Sequence, residues 1–346
     1  MKAAVLMAPR SIKLNERDKP IIGPEDVLIK VKAVGICGSD LHYYEHGRIG
    51  DRVVRKPLVQ GHECAGMVVQ VGENVKNLKL NDRVVIEPGL PCGLCPTCKE
   101  GTYNLCDDVL FLSTPPNDGV LKEYLAHPAH FTYKIPDHVS NEVATLAEPL
   151  SVGIYAAQKL QLAPNTHVVI MGMGPAGLCM ILAAKWFGAK TISVTDVEPF
   201  RLEIAKQIGA THGIQIREDQ AVHSLDYHAE MLGGYDCVID TTGKDEALEW
   251  AVRLLKRGGK IGGIGFPAKS SSAMPLLKMI QKEVSYLPIY RYRNTFEQAI
   301  ELLSQDQDSA RKLLTDFYAM SEVQEAFHHA LSQKDKSIKV IVYPER

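Results

Sequence analysis

The sequence predicts a two-part α/β protein, a β-rich, barrel-like domain followed by a doubly wound parallel sheet. Three observations predict it. Short strands punctuated by Gly and Pro fill the first part, and strands and helices alternate after Glu148. The length, 346 residues, suits about two domains at ~150 residues each.

The elements follow in order. Residues 27–34 (VLIKVKAV) alternate apolar and polar, as a half-buried strand does, and 66–71 and 83–86 read as further short strands. Residues 151–160 have helical character. The β-branched run 167–171 then enters a glycine loop, and 175–187, apolar on nearly all sides, reads as a buried helix. Strands at 191–195, 235–240 and 260–265 alternate with helices at 200–208 and 246–256, which implies a parallel sheet. Amphipathic helices at 295–303 and 323–331 and a strand at 338–343 close the chain, and 270–272 is a short polar loop.

Composition excludes several functions. Hydrophobic residues make up 45% and charged residues 23%, enough for an ordinary core and against disorder. Lys plus Arg number 39 against 41 Asp plus Glu, so the formal charge of −2 leaves no basic footprint for nucleic acid or an anionic membrane. The apolar start is broken by Pro9 and Arg10, too early for a secretion signal, and no stretch reaches the ~20 apolar residues of a membrane span. A cytoplasmic location is expected.

Gly172-Met173-Gly174-Pro175-Ala176-Gly177 is GxGxxG between a predicted strand and a predicted helix, the context in which this otherwise weak motif carries meaning. Gly172 permits the tight turn, Gly174 lets a pyrophosphate approach the helix N-terminus, and Gly177 lets helix and strand pack closely. Asp196 ends the next strand, where a carboxylate accepts both adenosine ribose hydroxyls and repels a 2′-phosphate, so NAD is expected over NADP. Arg201 is a candidate to lie over the adenine. A glycine turn with an N-capping acid is the plainer alternative.

Eight Cys are present, and Cys92, Cys95, Cys98 and Cys106 follow the pattern C-x2-C-x2-C-x7-C. Four thiolates so spaced suit a closed, structural zinc site, with an iron–sulfur cluster open in principle. Cys37, His62, Glu63 and Glu148 supply ligand types for a second metal with an open position, although one Cys, one His and two Glu can equally be unrelated.

Together, C-G-S-D-x-H from Cys37 to His42, then G-H-E at 61–63, the four-thiol cluster, and GxGxxG followed by Asp196 resemble the medium-chain zinc dehydrogenase family along essentially the whole chain. The segments 42–50 (HYYEHGRIG), 113–119 (STPPNDG), 148–153 (EPLSVG) and 290–295 (YRYRNT) are similar to its polyol, or sorbitol dehydrogenase, branch. Glu148 stands where alcohol dehydrogenases of the family usually carry Cys.

The resemblance implies a GroES-like catalytic domain over 1–150 and 290–346 and a Rossmann NAD-binding domain over 151–289. It implies two zinc ions per subunit. Cys37 and His62 hold the catalytic one, with Glu63 or Glu148 as third ligand and Asp40 orienting the His62 ring. Ser39 would receive the substrate proton and pass it toward His42. Tyr44, Phe111, Glu148, Arg291 and Tyr292 are the implied polyol contacts, and Pro175, Ala176, Ile264, Gly265 and Arg291 join the cofactor contacts. The implied reaction is reversible NAD-dependent oxidation of a secondary hydroxyl of a sorbitol- or xylitol-like polyol to the ketose. L-Threonine or a butanediol is the alternative substrate. A non-catalytic zinc module and a zinc-free NADPH quinone reductase are disfavoured by charge and by Cys37, His62 and Asp196. A homodimer or homotetramer is expected, joined at a sheet edge near 262–266.

Overall fold

The structure is a computed structural model that describes residues 1–216, 220–267 and 271–345, with only the backbone at 220–223. The polar loop expected at 270–272 begins at Ser270, outside these residues. The chain forms two compact units, Met1–Glu148 with Phe296–Arg346, and Pro149–Thr295. Residues 290–295, expected with the first domain, belong to the second unit. The Ile289 N–H donates to the Gly263 carbonyl at 2.8 Å, and the Arg293 guanidinium lies over the Tyr155 ring at 5.8 Å.

In the first unit, Asp26–Gly35 is the central strand of a mixed sheet. It pairs with Glu63–Val71 on one side and with Lys339–Tyr343 on the other, and Tyr124–Pro128 also bonds to it. This central place buries Val27, Leu28 and Ile29 on both faces, where alternation predicted a half-buried strand. The register sets Gly35 opposite both Glu63 and Ile341, and the Ile36 N–H donates to the Val340 carbonyl at 2.9 Å. Three segments distant in sequence therefore meet at one end of the sheet: 35–37, 62–63 and 339–341.

The helix Gly38–His46 follows this meeting point and was not expected from the sequence. It is short and opens on Gly-Ser-Asp, so neither length nor periodicity announces it. Asp40 starts it by accepting the Cys37 N–H at 3.1 Å.

In the second unit, six strands run parallel in the order 212–215, 191–196, 167–171, 235–240, 255–263 and 285–288. The expected helix became Pro175–Trp186, and its residues from Gly177 to Ala184 are all buried, as its all-round apolarity required. The expected sheet edge at 262–266 is corrected. Leu255–Gly263 is an interior strand, because the chain crosses once more through the helix Leu276–Lys282 and adds Ser285–Pro288 outside it. Among the described residues, no helix is long and apolar enough to cross a membrane.

Candidate functional site

The end of the central strand gathers the first candidate site. Cys37, His62 and Glu63 each bring one ligand atom within 4.8 Å of the others. The Glu148 carboxyl lies outside this group, at the start of the helix Ala147–Leu160. Glu63 approaches because residue 35 is glycine, since a Cβ there would stand 2.2 Å from Glu63 Oε2. Both Glu63 oxygens accept from Lys339 Nζ, at 2.8 and 2.7 Å, and the same ammonium donates to the Ile36 carbonyl at 3.3 Å. The pair is 0% and 1% exposed on its two side chains, so each charge depends on the other.

Asp40 binds the site together from behind. Its Oδ1 accepts from Ser113 Oγ at 2.7 Å and from the Gly61 N–H at 3.2 Å, and faces His62 Nδ1 at 3.4 Å. Burial pushes the Asp40 carboxyl up, but His62, Ser113 and the Cys37 N–H outweigh it and hold the acid below its ordinary range. Burial likewise opposes charge on His62, and Asp40 and Cys37 overcome it, raising its pKa well above 6.5. A thiol, an imidazole and a carboxylate converging in a field that favours positive charge fit a zinc ion.

The other predicted residues distribute unevenly. The Phe111 ring stands 5.6 Å from the His62 ring and is buried, as an apolar wall would be. Ser39 is partly exposed on the short helix, and His42 is exposed, its Nδ1–H donating to the Arg48 carbonyl at 2.8 Å. Tyr44 is 2% exposed within the core of the first unit, its ring 5.3 Å from Phe327 and its hydroxyl accepting from Gln324 Nε2 at 2.7 Å.

Glu87 was missed by sequence reasoning. It is 1% exposed and accepts from the Tyr103 hydroxyl at 2.8 Å and the Tyr133 hydroxyl at 3.0 Å. Burial, with a contribution from Glu148, raises its pKa from 4.5 to about 7 despite the two tyrosines. Beside it, burial holds His127 down at about 4 while its ring donates to the Glu87 carbonyl. The two linkages oppose each other. Stability from Glu87 is present below pH 4.5 and lost as pH rises through about 7. Stability from His127 is present above 6.5 and lost as pH falls through about 4. Glu87→Gln removes the first alone. The stability of the variant relative to wild type is expected to grow by about 3 kcal/mol as pH rises from 4.5 to about 7. Urea midpoints across that range check it, and a flat difference refutes it.

The four predicted thiols do converge, with their sulfurs mutually within 4.8 Å. Cys95 Sγ lies 3.3 Å from Cys98 Sγ, and backbone N–H groups of Cys92 and Cys95 point at the sulfurs of Cys106 and Cys92 at 3.4 Å. The Thr97 hydroxyl, with the backbone N–H and thiol of Cys98, pulls the Cys95 thiol down to about 6. Four sulfurs held by N–H donors fit a closed tetrahedral metal site.

In the second unit, Gly174 caps the helix Pro175–Trp186 and Pro175 opens it. Gly177 must be glycine, because a Cβ would fall 1.8 Å from the Gly172 carbonyl. Asp196 faces this loop, its Oδ2 accepting the Met173 N–H at 2.6 Å and its Oδ1 the Glu198 N–H at 2.9 Å. Arg201 lies beside Gly174, with Nη1 3.9 Å from where a Cβ would stand. The N–H groups of Ile264 and Gly265 donate to the Asp240 carbonyl at 2.8 and 3.0 Å, folding that turn back onto the neighbouring strand. Arg291 takes a left-handed backbone, φ 55°, with its guanidinium 4.9 Å from the Tyr290 ring, while Tyr292 is buried. A non-glycine residue held there marks a constrained segment.

Lys339 was also missed. A Lys inside the apolar run IKVIVY was the available signal, since a central strand cannot bury an ammonium without a partner.

Comparison with known proteins gives concordant results. Residues 23–137 match the family model of the alcohol dehydrogenase GroES-like domain, and residues 175–305 that of the zinc-binding dehydrogenases. The chain is 47% identical to a sorbitol dehydrogenase of Bacillus subtilis, covering 100% of this chain and 98% of the relative. A crystal structure of an Escherichia coli oxidoreductase of unknown specificity superposes with a TM-score of 0.93 at 39% identity, covering 99% and 98% of the two chains. An E. coli alcohol dehydrogenase complexed with NADH gives a TM-score of 0.91 at 29% identity, covering 99% of each chain.

Proposed function

Because the chain belongs to the zinc-binding alcohol dehydrogenase family, in the medium-chain branch of sorbitol dehydrogenases, we propose that it oxidises a secondary hydroxyl of a sorbitol- or xylitol-like polyol to the ketose, reversibly and with NAD. The observation that carries the chemistry is the convergence of Cys37, His62 and Glu63. The 47% identity to a sorbitol dehydrogenase, over the whole of this chain, supports the polyol.

Cys37, His62 and Glu63 would hold the catalytic zinc, and Asp40 would orient the His62 ring from the Nδ1 side. When bound, zinc polarises the substrate hydroxyl as a Lewis acid and the nicotinamide accepts the hydride. Lys339 balances the charge of Glu63 and fixes its carboxylate. Phe111 excludes water beside His62. Ser39 takes the hydroxyl proton and passes it to exposed His42. Glu148, Arg291 and Tyr292 are the proposed polyol contacts. The four thiols would hold a second, structural zinc that orders the segment 92–106.

Gly172, Gly174, Pro175, Ala176 and Gly177 would cradle the pyrophosphate, Asp196 would receive the ribose, and Arg201, Ile264, Gly265 and Arg291 would complete the cofactor site. Asp196→Ala is expected to raise KM for NAD about 10- to 100-fold, the loss of charge-assisted hydrogen bonds, and to narrow the preference against NADP. An unchanged KM for NAD would remove Asp196 from the site.

The reading is tested by following reduced nicotinamide absorbance with NAD and a panel of polyols, L-threonine and butanediols, before and after chelation. Turnover of polyols that chelation stops and zinc restores is expected. Turnover confined to threonine or butanediols moves the enzyme to the related branch. We further propose a cytoplasmic homo-oligomer, dimer or tetramer, which sedimentation of the purified protein checks.

A further inference from the structure

We infer that Ser113 is a positioning residue for the catalytic metal centre, acting through Asp40 on His62. The inference rests on the reading that Cys37, His62 and Glu63 hold that metal. Ser113 is 2% exposed and sits in the left-handed region at φ 64°, a backbone in which a non-glycine side chain is disfavoured. The surrounding structure nevertheless keeps a side chain there, and its hydroxyl donates to Asp40 Oδ1 at 2.7 Å.

That oxygen is the one facing His62 Nδ1, at 3.4 Å, a separation loose for a hydrogen bond. His62 by itself therefore holds the carboxylate weakly. Its plane is set by three other donors: the Cys37 N–H on Oδ2, the Gly61 N–H on Oδ1 and the Ser113 hydroxyl on Oδ1. The first two come from the ligand segments themselves, and Ser113 supplies the anchor from outside them.

Two residues earlier, Phe111 lays its ring against His62. Leu110–Phe111 pairs with Gly89–Leu90 to close the loop that carries the four thiols. The exit of the thiol-bearing loop thus reaches His62 from two sides, by a ring contact and by a hydrogen bond through Asp40. Partners that orient a ligating histidine typically change metal affinity or activity 10- to 100-fold when removed.

The test compares Ser113→Gly and Ser113→Ala in the zinc-loaded enzyme. Both lose the hydroxyl, but only Gly relieves the left-handed backbone, so their urea midpoints should differ, with Gly above Ala. Zinc transfer from the activity-linked site to a coloured chelator is expected to be about tenfold faster or more in both variants, with kcat falling more than KM changes. Zinc transfer that follows the midpoints instead, fast in Ala and wild-type-like in Gly, overturns the inference and leaves Ser113 a folding residue. Wild-type rates in both variants overturn it as well. Failure of the underlying reading is distinguishable, because the wild-type enzyme would then show no polyol turnover restored by zinc.

Discussion

Cys37→Ser is expected to lower polyol turnover by about a thousandfold or more while leaving NAD binding within about twofold. Lewis-acid stabilisation by a bound metal is worth several kcal/mol in the transition state, and each ~1.4 kcal/mol is tenfold in rate. Cys37 gives the site its thiolate and lies at the junction of the central strand and the short helix, where its N–H is held by Asp40. Serine keeps the size and that backbone contact but is a far poorer ligand for a borderline-soft cation. The glycine loop and Asp196 belong to the other unit, so the cofactor site has no reason to change. Steady-state rates, zinc content and NAD titration by fluorescence check the three parts. A variant with near wild-type turnover would falsify the metal assignment.

Lys339→Met is expected to destabilise the protein by about 3–5 kcal/mol, the cost of leaving one member of a buried ion pair uncompensated. For a unit of this size, that is on the order of a 10 °C fall in melting temperature. Glu63 is wholly buried, and Lys339 is the cation whose Nζ both of its oxygens touch. Two further outcomes separate charge from packing. Adding zinc should raise the melting temperature of Lys339→Met more than that of wild type, because the ion supplies part of the missing positive charge. Adding Glu63→Gln to the variant should restore much of the stability while abolishing turnover. A single variant within about 1 kcal/mol of wild type would mean that Glu63 does not depend on Lys339.

Much of the second unit was legible because its determinants are short-range. The run 167–171, the glycine loop and Asp196 lie within about thirty residues of one another, and a βα turn needs each of them for a local reason. The thiol cluster was legible for the same reason, four ligands on one loop. The first unit was less so. The convergence of Gly35, Glu63 and Lys339 depends on strand register between segments as far apart as Ile36 and Lys339, 303 residues, which no local pattern encodes. Tyr44 shows how far tertiary neighbours decide a side chain's surroundings. Its place in a family-like motif suggested a substrate contact, and a neighbour from the other end of the chain, Phe327, packs on its ring in the core.

The sequence by itself determined the dinucleotide loop, the thiol site and the family, because spacing along a chain sets which groups can reach one small ligand. Tertiary structure alone decided that Glu63 rather than Glu148 stands with Cys37 and His62, that Lys339 secures it, that Ser113 anchors Asp40 behind His62, and that Ser285–Pro288 lies outside 262–266 as the edge strand on that side of the sheet. Those outcomes depend on which strands become neighbours and in what register. They are fixed by the packing of the whole unit, not by any residue's near neighbours in sequence.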